Sequence, residues 1–350
     1  MAGKQKNKSA RMKDVAELAG VSIKTVSRVL NNEPHVQEKL RRKVRDAVSR
    51  LDYVPSQSAR SLRGNKSYDV MLICHSGNSS YITAIQFGAV VACQELGYRL
   101  SISLCEGLGS KPVADIRQEL DSMMARHRPD GVMLVAPYAS DEKIGFVLEE
   151  MGLPLVRIGP VDLHNRAILV EIDDYKAAIE LTTHLIDLGH QRIGFVRGLE
   201  DQRSTHIRYS GFCVALEAAG LKVDEALVRP GAFDFQSGFE AGEYFIEMDQ
   251  PPTAVFCSND DMAAGVVSAC GSQGVNVPAA MSVVGFDDAD VATRMRPLLT
   301  TVHQPLSELG STAAKELIES LSKDEGSEPR RIVLDYEFIL RDTTAAPPKG

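Results

Sequence analysis

The 350-residue sequence lacks the features that identify membrane-spanning and secreted proteins. Tryptophan is absent and aromatic residues make up only 6% of the chain, although a hydrophobic fraction of 44% is sufficient for a full core. No apolar run approaches the ~20 residues that a helix needs to cross a bilayer. The basic amino terminus contains no apolar segment of the kind that forms the core of a signal peptide. We therefore expect a cytoplasmic protein.

The cysteines and histidines show no spacing typical of a metal site or a disulfide framework. The chain contains no C-x-x-C pair and no H-E-x-x-H motif, and it also lacks G-x-x-x-x-G-K-[ST] and G-x-S-x-G. His184 and His190 flank one predicted helix end, but a six-residue separation places them on different faces. We expect no metal, no cofactor and no catalytic residue. We expect buried apolar cysteines in a reducing compartment, namely Cys74, Cys93, Cys105, Cys213, Cys257 and Cys270.

Positive charge is concentrated at one end of an otherwise acidic chain. Residues 1–66 contain 16 Lys and Arg against six Asp and Glu, a net charge of +10, whereas the whole chain has a net charge of −8. The rest of the chain therefore carries −18. A basic region can neutralise phosphates, which supplies most of the sequence-independent affinity for DNA. The lysines of residues 1–10 are equally compatible with a solubilising tail, but Lys24, Arg28 and the run KLRRKVR (39–45) lie in helical patterns that favour binding.

The segment MKDVAELAGVSIKTVSRVLN (12–31) predicts two short helices joined by a tight turn. Gly20 supplies the backbone freedom that the turn requires, and the Ser22 hydroxyl can cap the second helix. Val26, Val29 and Leu30 give that second helix a buried face. Small polar and basic side chains remain on or near its outer face, which suits the major groove of DNA. These side chains are Ile23, Lys24, Thr25, Ser27 and Arg28.

A third helix and a linker complete the amino-terminal region. Apolar residues between Val36 and Leu51 recur at three- and four-residue steps, so the three helices predict a bundle of about fifty residues. Residues 56–63 can form a helical turn or two, but they contain too few apolar residues to be stable alone. We therefore assign a basic tail to residues 1–11, a helix-turn-helix domain to 12–54, and a hinge helix with a linker to 55–67.

From Tyr68 onward, near-continuous apolar strands alternate with helices, which predicts α/β lobes with parallel sheets covered on both faces. In such sheets a ligand binds beyond the carboxyl ends of the strands, here in a cleft that can close. The predicted strands are 69–74, 98–105, 130–137, 153–159, 192–198, 254–260 and 282–288. The predicted helices are 82–97, 113–127, 141–152, 174–188, 207–219, 236–247 and 262–273.

Seven motifs occur in an order and spacing that point to one protein family. They are DVAELAGVSIKTVSRVLN (14–31), LDYVPSQSARSLRG (51–64), HLIDLGHQRIGFVRG (184–198), RYSGFCVAL (208–216), AVFCSNDDMAAGVV (254–267), SVVGFDD (282–288) and LTTVHQPLSELG (299–310). Through them the chain resembles the lactose-repressor (LacI) family of bacterial transcription factors, from about Met12 to Arg341.

The resemblance implies a dimer whose headpieces bind a pseudo-palindromic operator. It also implies a second domain, at residues 68–345, that is similar to periplasmic sugar-binding proteins and holds a small effector, usually a sugar. The first lobe of that domain would comprise about 68–169 and 301–331. The second lobe would comprise about 170–300 and 332–345.

The resemblance assigns DNA contacts to the second helix. Ile23, Lys24 and Arg28 match base-reading positions, and Arg28 is suited to a bidentate contact with guanine. Thr25, Ser27 and Asn31 match contacts that bind phosphate or orient the helix. Ser22 also belongs to the matching recognition segment.

The resemblance assigns a further DNA contact to the hinge. Leu62, with Ala59 beside it, matches a leucine that wedges into the minor groove at the operator centre and bends the duplex. The weak helix propensity of this segment then has a purpose, because the segment can order on the operator and melt when the lobes move. Without the resemblance, Leu62 is a lone leucine in a linker.

Six positions match effector contacts in the family. A sugar presents apolar ring faces and many hydroxyls, so its site needs an aromatic wall and several charged or amide groups. Asp260 and Asp288 could instead cap helices or connect the lobes, and Phe235 could belong to the core. For Asp173 and Tyr175 we favour a structural role. The matching residues are Asn78, Tyr81, Arg208, Phe233, Asn259 and Asp287.

The chain departs from the family in two places. Several relatives have an acidic ligand contact after LPLV, where this chain has Arg157, Ile158 and Gly159. A nearby cation leaves open an anionic effector, such as a sugar acid or a sugar phosphate, or a different ligand. The carboxyl-terminal segment RDTTAAPPKG has no leucine heptads, so we expect a dimer rather than a coiled-coil tetramer.

Other functions fit the sequence less well than a ligand-gated repressor. A sugar-transport component would have a signal peptide and no helix-turn-helix, and a sugar isomerase or kinase would need a metal cluster or a phosphate loop. A site-specific recombinase would share only the helix-turn-helix. Activation or corepression remains open, because one hinge can be coupled to DNA binding with either sign.

Overall fold

The computed structural model describes residues 10–30, 36–53, 66–75, 79–161, 167–322 and 329–348. The chain divides into two compact units, one ending at Tyr68 and the other beginning at Asp69. The predicted contacts Asn31, Ala59, Leu62 and Asn78 lie outside the described residues. Within the described ranges, no helix combines the length and the apolar character that a membrane span requires.

The first unit is a three-helix bundle composed of α1 (Met12–Ala19), α2 (Ile23–Leu30) and α3 (Glu38–Arg50). Gly20 ends α1 with a φ of +66°, and the Thr25 amide donates to Ser22 Oγ at 3.1 Å. The predictions for the turn glycine and the capping serine are thus confirmed. The small core contains Val15, Val26, Val29, Val44 and Tyr53.

The second unit alternates strands and helices over most of its length. Its strands are β1 (Asp69–Cys74), β2 (Arg99–Leu104), β3 (Gly131–Val135), β4 (Leu155–Ile158), β5 (Ile168–Ile172), β6 (Ile193–Val196), β7 (Val228–Arg229), β8 (Ala254–Cys257), β9 (Ser282–Val284), β10 (Thr301–His303), β11 (Arg330–Leu334) and β12 (Glu337–Ile339). Its helices are α4 (Ser79–Glu95), α5 (Val113–His127), α6 (Glu142–Glu150), α7 (Asp174–Asp187), α8 (Arg203–Ala218), α9 (Phe235–Ile246), α10 (Asp260–Ser272), α11 (Asp290–Arg294) and α12 (Leu306–Ser320).

The first lobe is built on a six-stranded parallel sheet of order β11-β5-β4-β3-β1-β2. Residues of α5 and α6 pack on one face of the sheet, in a core that includes Met71, Leu120 and Val147. Helices α4 and α12 pack against each other so closely that a Cβ at Gly88 would lie 1.7 Å from the Ser307 carbonyl oxygen. Glycine is therefore required at that contact.

The second lobe is built on a four-stranded parallel sheet of order β7-β6-β8-β9. Its core packs α9 and α10 against this sheet around Phe245, Val255, Met262 and Val266. The parallel α/β lobes predicted from the alternating pattern are thus confirmed.

In the described part of the chain, the polypeptide crosses between the lobes three times, near Asp173, at residues 303–305 and at residues 335–341. The short antiparallel pair β10-β12 joins the second and third crossings. Asp260 accepts hydrogen bonds from Thr301 Oγ1 at 2.6 Å and from the Ala289 amide at 2.7 Å. Asp288 lies 2.6 Å from Arg341 and 3.1 Å from His303. Both aspartates thus have the connecting role that the sequence had left open.

The structure also differs from the sequence-based prediction. Strands β5, β7, β10, β11 and β12 and helices α11 and α12 were not predicted. Strands β5 and β11 contain the ion-paired residues Glu171 and Arg331, and β7, β10 and β12 are only two or three residues long. Strand β5 belongs to the sheet of the first lobe, so that lobe extends to Ile172 rather than 169. Phe235 is 46% exposed, so the core role that the sequence left open for it does not apply.

Candidate functional site

The first unit presents a charged helix surface. Ile23, Lys24 and Arg28 are exposed on α2, and Thr25 is half-buried. Ser27 is only 8% exposed, so the expectation that it lies open on the outer face is wrong. At about 3.6 residues per turn, Ser27 lies close to the side of α2 that Val26 and Leu30 bury against the bundle.

The second unit contains a cavity of about 570 Å³, lined by both lobes and by the passage between them. Its walls come from loops that follow the carboxyl ends of parallel strands, the position expected for ligands of such sheets. The first lobe contributes His75, Tyr81, Ile82, Gly107, Gly109, Ser110, Ala136, Pro137, Tyr138, Asp141 and Pro160. The second lobe and the passage contribute Asp174, Leu199, Asp201, Gln202, Ser204, Arg208, Ala232, Phe233, Asp234, Asp287 and Gln304.

Arg208 is the central polar group of this cavity. The side chain is only 4% exposed, and Nε donates to Asp174 Oδ1 at 2.7 Å. Nη1 donates to the Ser258 carbonyl at 2.5 Å and lies 3.9 Å from Asp287 Oδ1. The guanidinium carbon stacks 3.7 Å from the centre of the Phe286 ring. Arg208 thereby joins α8 to α7 and to the loops after β8 and β9.

Burial changes the protonation of the groups around Arg208. Desolvation raises the pKa of Asp287 to about 7, although Arg208 and the hydrogen bond from Gln304 Nε2 at 2.6 Å oppose the rise. Desolvation also raises the pKa of Asp174. The pKa of Tyr81 is raised by burial and by these two carboxylates, so its hydroxyl stays protonated and can donate.

The aromatic wall of the cavity is held by backbone geometry. Phe233 has a φ of +59°, a left-handed conformation that is uncommon for a residue other than glycine. Asn259 Nδ2 donates to the Phe233 carbonyl at 3.0 Å, while Asn259 Oδ1 accepts from the Met262 amide and caps α10. The ring packs on Gly198, where a Cβ would lie 1.9 Å from its edge.

The structure brings four of the predicted effector residues together at the cavity, namely Tyr81, Arg208, Phe233 and Asp287. Asn259 is buried and does not line the cavity, because both ends of its amide are used within the loop and the helix cap. Sequence reasoning missed His75, Asp201 and Asp234. Their position shortly after strands or before helices was the available signal, but these charged loop residues also resemble ordinary surface residues.

Arg157 does not reach the cavity, which corrects the expectation of a nearby cation. Its side chain lies beneath α6, where Nη1 donates to the Ala139 carbonyl at 3.1 Å and Nη2 lies 3.7 Å from Glu149. A Cβ at Gly145 would lie 1.8 Å from this guanidinium, so glycine leaves room for it. At Gly159, which ends the same segment, a Cβ would lie 3.7 Å from the Tyr81 hydroxyl.

Comparisons with known proteins match both units. The model of "bacterial regulatory proteins, lacI family" matches residues 11–56, and that of the "periplasmic binding protein-like domain" matches residues 182–344. The HTH-type transcriptional repressor PurR of Pasteurella multocida (strain Pm70) is 33% identical over 335 residues, covering 95% of this chain and 98% of the relative. The chain belongs to the LacI family.

Further relatives extend this LacI-family match. The probable HTH-type transcriptional repressor ExuR of Bacillus subtilis (strain 168) is 32% identical and covers 95% of this chain and 97% of the relative. A lac repressor dimer bound to operator and the anti-inducer ONPF is 27% identical with a TM-score of 0.79, covering 97% of this chain and 100% of that one. A complex of the regulator CelR with cellobiose is 29% identical with a TM-score of 0.71, and the match covers 95% of this chain and 99% of that one. This LacI-family protein is a DNA-binding transcriptional regulator.

The raised pKa of Asp287 predicts a pH dependence of stability. The carboxyl ionises near pH 7 in the folded protein but near its ordinary, lower pKa in the unfolded chain, so folding takes up a proton between these values. The free energy of unfolding of wild type, minus that of Asp287→Asn, should therefore decrease as pH rises from about 5 to about 7 and level off at higher pH. Thermal unfolding of both proteins across this range measures the difference.

Asn keeps an oxygen that can accept from Gln304, so the comparison isolates the ionisation. Asp249→Asn, an exposed position outside the cavity, serves as the control and should show no such trend. A difference between wild type and Asp287→Asn that is constant with pH would contradict the assignment.

Proposed function

We propose that this LacI-family protein is a transcriptional repressor whose affinity for operator DNA is controlled by a small molecule bound in the cavity. The observation that supports the proposal most strongly is the combination in one chain of a helix-turn-helix with an exposed basic helix and a two-lobed unit enclosing about 570 Å³. The matched relatives are named as transcriptional repressors, and matched structures contain an operator with an anti-inducer or a sugar.

In this proposal α2 binds the major groove. Ile23, Lys24 and Arg28 read base edges, Thr25 contacts phosphate, and the buried Ser27 orients the helix. Arg28 is exposed in the last turn of α2, and its guanidinium can pair with both acceptors of a guanine. Asn31 and the hinge residues Ala59 and Leu62 keep the roles that the family resemblance implies.

Arg28→Ala should reduce discrimination at one base pair of the operator. We expect a loss of about 1 to 3 kcal/mol on the cognate sequence and little change on unrelated DNA. The matched control is Arg45→Ala, which removes the same charge from an exposed position on α3. Operators selected from random DNA, followed by fluorescence anisotropy on cognate and mutated sites, measure the effect. Equal weakening on all sequences by Arg28→Ala would show that Arg28 contacts only phosphate.

The cavity is the proposed effector site, and Phe233 is its aromatic wall. The proposed contacts are Tyr81, Arg208, Phe233 and Asp287, with Asn259 acting through the backbone of Phe233. Because the two lobes meet at the cavity, a ligand that contacts both changes their relative stability and so the DNA-binding state. The same cavity serves induction or corepression, and operator binding with and without ligand determines the sign.

Phe233→Leu should abolish or strongly weaken the effector response while preserving operator binding. Leucine keeps much of the apolar volume but removes the aromatic face, and Phe235→Leu is the control two residues away, outside the cavity lining. Operator affinity measured against a panel of sugars, sugar derivatives and nucleosides identifies the effector with wild type. Two outcomes would contradict effector gating through this cavity. In the first, no compound of the panel changes the operator affinity of wild type; in the second, both variants respond equally.

A dimer fits the exposed apolar surface of the first lobe. Phe87 and Val91 on α4 and Ile102 and Leu104 on β2 remain exposed, with Phe87 at 66% and Leu104 at 63%. Strand β2 is the edge of its sheet, and its residues 102 and 104 pair with residues 72 and 74 on the face that α4 covers. We define these four residues as the edge surface. Exposed apolar side chains on neighbouring elements are typical of a protein interface.

Leu104→Asp should convert the dimer to a monomer, because association would bury an unpaired carboxylate. Phe146→Asp is the control, since Phe146 is exposed to 50% on α6, outside the edge surface. Sedimentation velocity measures the mass, and operator affinity should fall with dimer loss because two headpieces share the site. A dimer that persists in Leu104→Asp would reject the edge surface as the interface.

A further inference from the structure

Acidic side chains outnumber basic ones in the cavity lining. Five carboxylates line it, from Asp141, Asp174, Asp201, Asp234 and Asp287. Among the described lining residues, only Arg208 and His75 can carry positive charge. The carboxylates come from both lobes, so a ligand in contact with both walls lies among them.

Both cations are already paired with carboxylates, which weakens their attraction for an incoming anion. Arg208 is already bound to Asp174 and the Ser258 carbonyl and lies 3.9 Å from Asp287, so this group of three charged residues is itself negative when both carboxylates are ionised. His75 Nε2 lies 3.0 Å from Glu106. Arg157 is separated from the cavity by its position beneath α6.

The helix N-termini at the cavity, which would otherwise attract anions, carry their own carboxylates. Asp141 caps α6 by accepting from the amides of Lys143 and Ile144, and Asp234 caps α9 by accepting from the Ser237 amide. Helix α8 has no side-chain cap at Gln202, but the exposed Asp201 directly precedes it. A ligand anion would therefore approach a carboxylate at each of these three helix ends.

Hydrogen-bond complementarity leads to the same conclusion. Ionised carboxylates only accept hydrogen bonds. The Gln304 amide nitrogen already donates a hydrogen bond to Asp287. Although the Tyr81 hydroxyl can donate, the five carboxyl groups of the lining favour a ligand that donates hydrogen bonds. Hydroxyl and ammonium groups donate, whereas carboxylate and phosphate groups only accept.

We propose that the effector carries no anionic group, so that the cavity accepts uncharged or positively charged molecules rich in hydroxyl or amine donors and rejects acids and phosphate esters. This inference rests on the proposed function, because it assumes that the effector binds in this cavity. It replaces the anionic effector that Arg157 suggested in the sequence.

The test compares ligands that share a ring and differ in charge. Glucose, glucosamine, glucuronate and glucose 6-phosphate form one set, and matched galactose, mannose, ribose and nucleoside sets follow the same design. Dye-based thermal shift of the full chain selects compounds, and calorimetry gives dissociation constants. We expect the tightest ligand to be neutral or cationic and its acid or phosphate counterpart to bind at least about tenfold more weakly, because like charges in contact repel.

Charge-neutralising variants connect the selectivity to the cavity. The double variant Asp201→Asn, Asp234→Asn should reduce the loss of affinity that the anionic member of the set shows relative to the neutral one. Asparagine at 234 can still cap α9. Asp249→Asn, exposed and outside the cavity, should leave this loss of affinity unchanged. Lower salt should increase the loss in wild type.

Two results would overturn the inference, and they differ in what else they overturn. Tightest binding by an acid or phosphate ester, lost in Phe233→Leu, would reject the charge selectivity and leave effector gating intact. Absence of any stabilising compound in every charge class, with operator binding intact, would reject the proposed effector function together with this inference.

Discussion

The buried guanidinium of Arg208 is the interaction on which the second lobe depends. It compensates two carboxylates on different elements, Asp174 at the start of α7 and Asp287 after β9, and it also donates a hydrogen bond to the Ser258 carbonyl after β8. Removing such a group would leave both carboxylates buried without compensation, which is far more costly than losing a surface ion pair. The same arrangement therefore holds three segments in place and sets the charge of the cavity.

The connection between the lobes uses a second set of carboxylates. Asp288 lies against His303 and Arg341 and so contacts two passages between the lobes, whereas Asp260 binds the Ala289 amide and Thr301 on β10, the strand that leads into one of them. Gln304 then links the passage directly to Asp287 in the cavity. Under the proposed function, a ligand that changes the environment of Asp287 would act on a group that is already hydrogen-bonded to the connecting chain.

The sequence predicted those features that depend on local pattern. Buried parallel strands such as β1 and β8 are continuous apolar runs, and Gly20 and Ser22 mark a turn by their own chemistry. Tyr81, Arg208, Phe233 and Asp287 came from the family resemblance. Tertiary contacts decided the rest: the direction of Arg157, the use of Asn259 in a loop, and the pairing of β5 with β11 each depend on distant partners that no local pattern contains.

The left-handed backbone of Phe233 has a consequence for how selective binding can be. A strained residue of this kind costs of the order of 1 to 3 kcal/mol and persists only when its surroundings determine it, here through Asn259 and the space above Gly198. The folding free energy thus offsets the strain, and the Phe233 ring is already in position before a ligand binds. Under the proposed function, binding would require little ordering of Phe233. The ring would then select a small molecule by its shape rather than adapt to it.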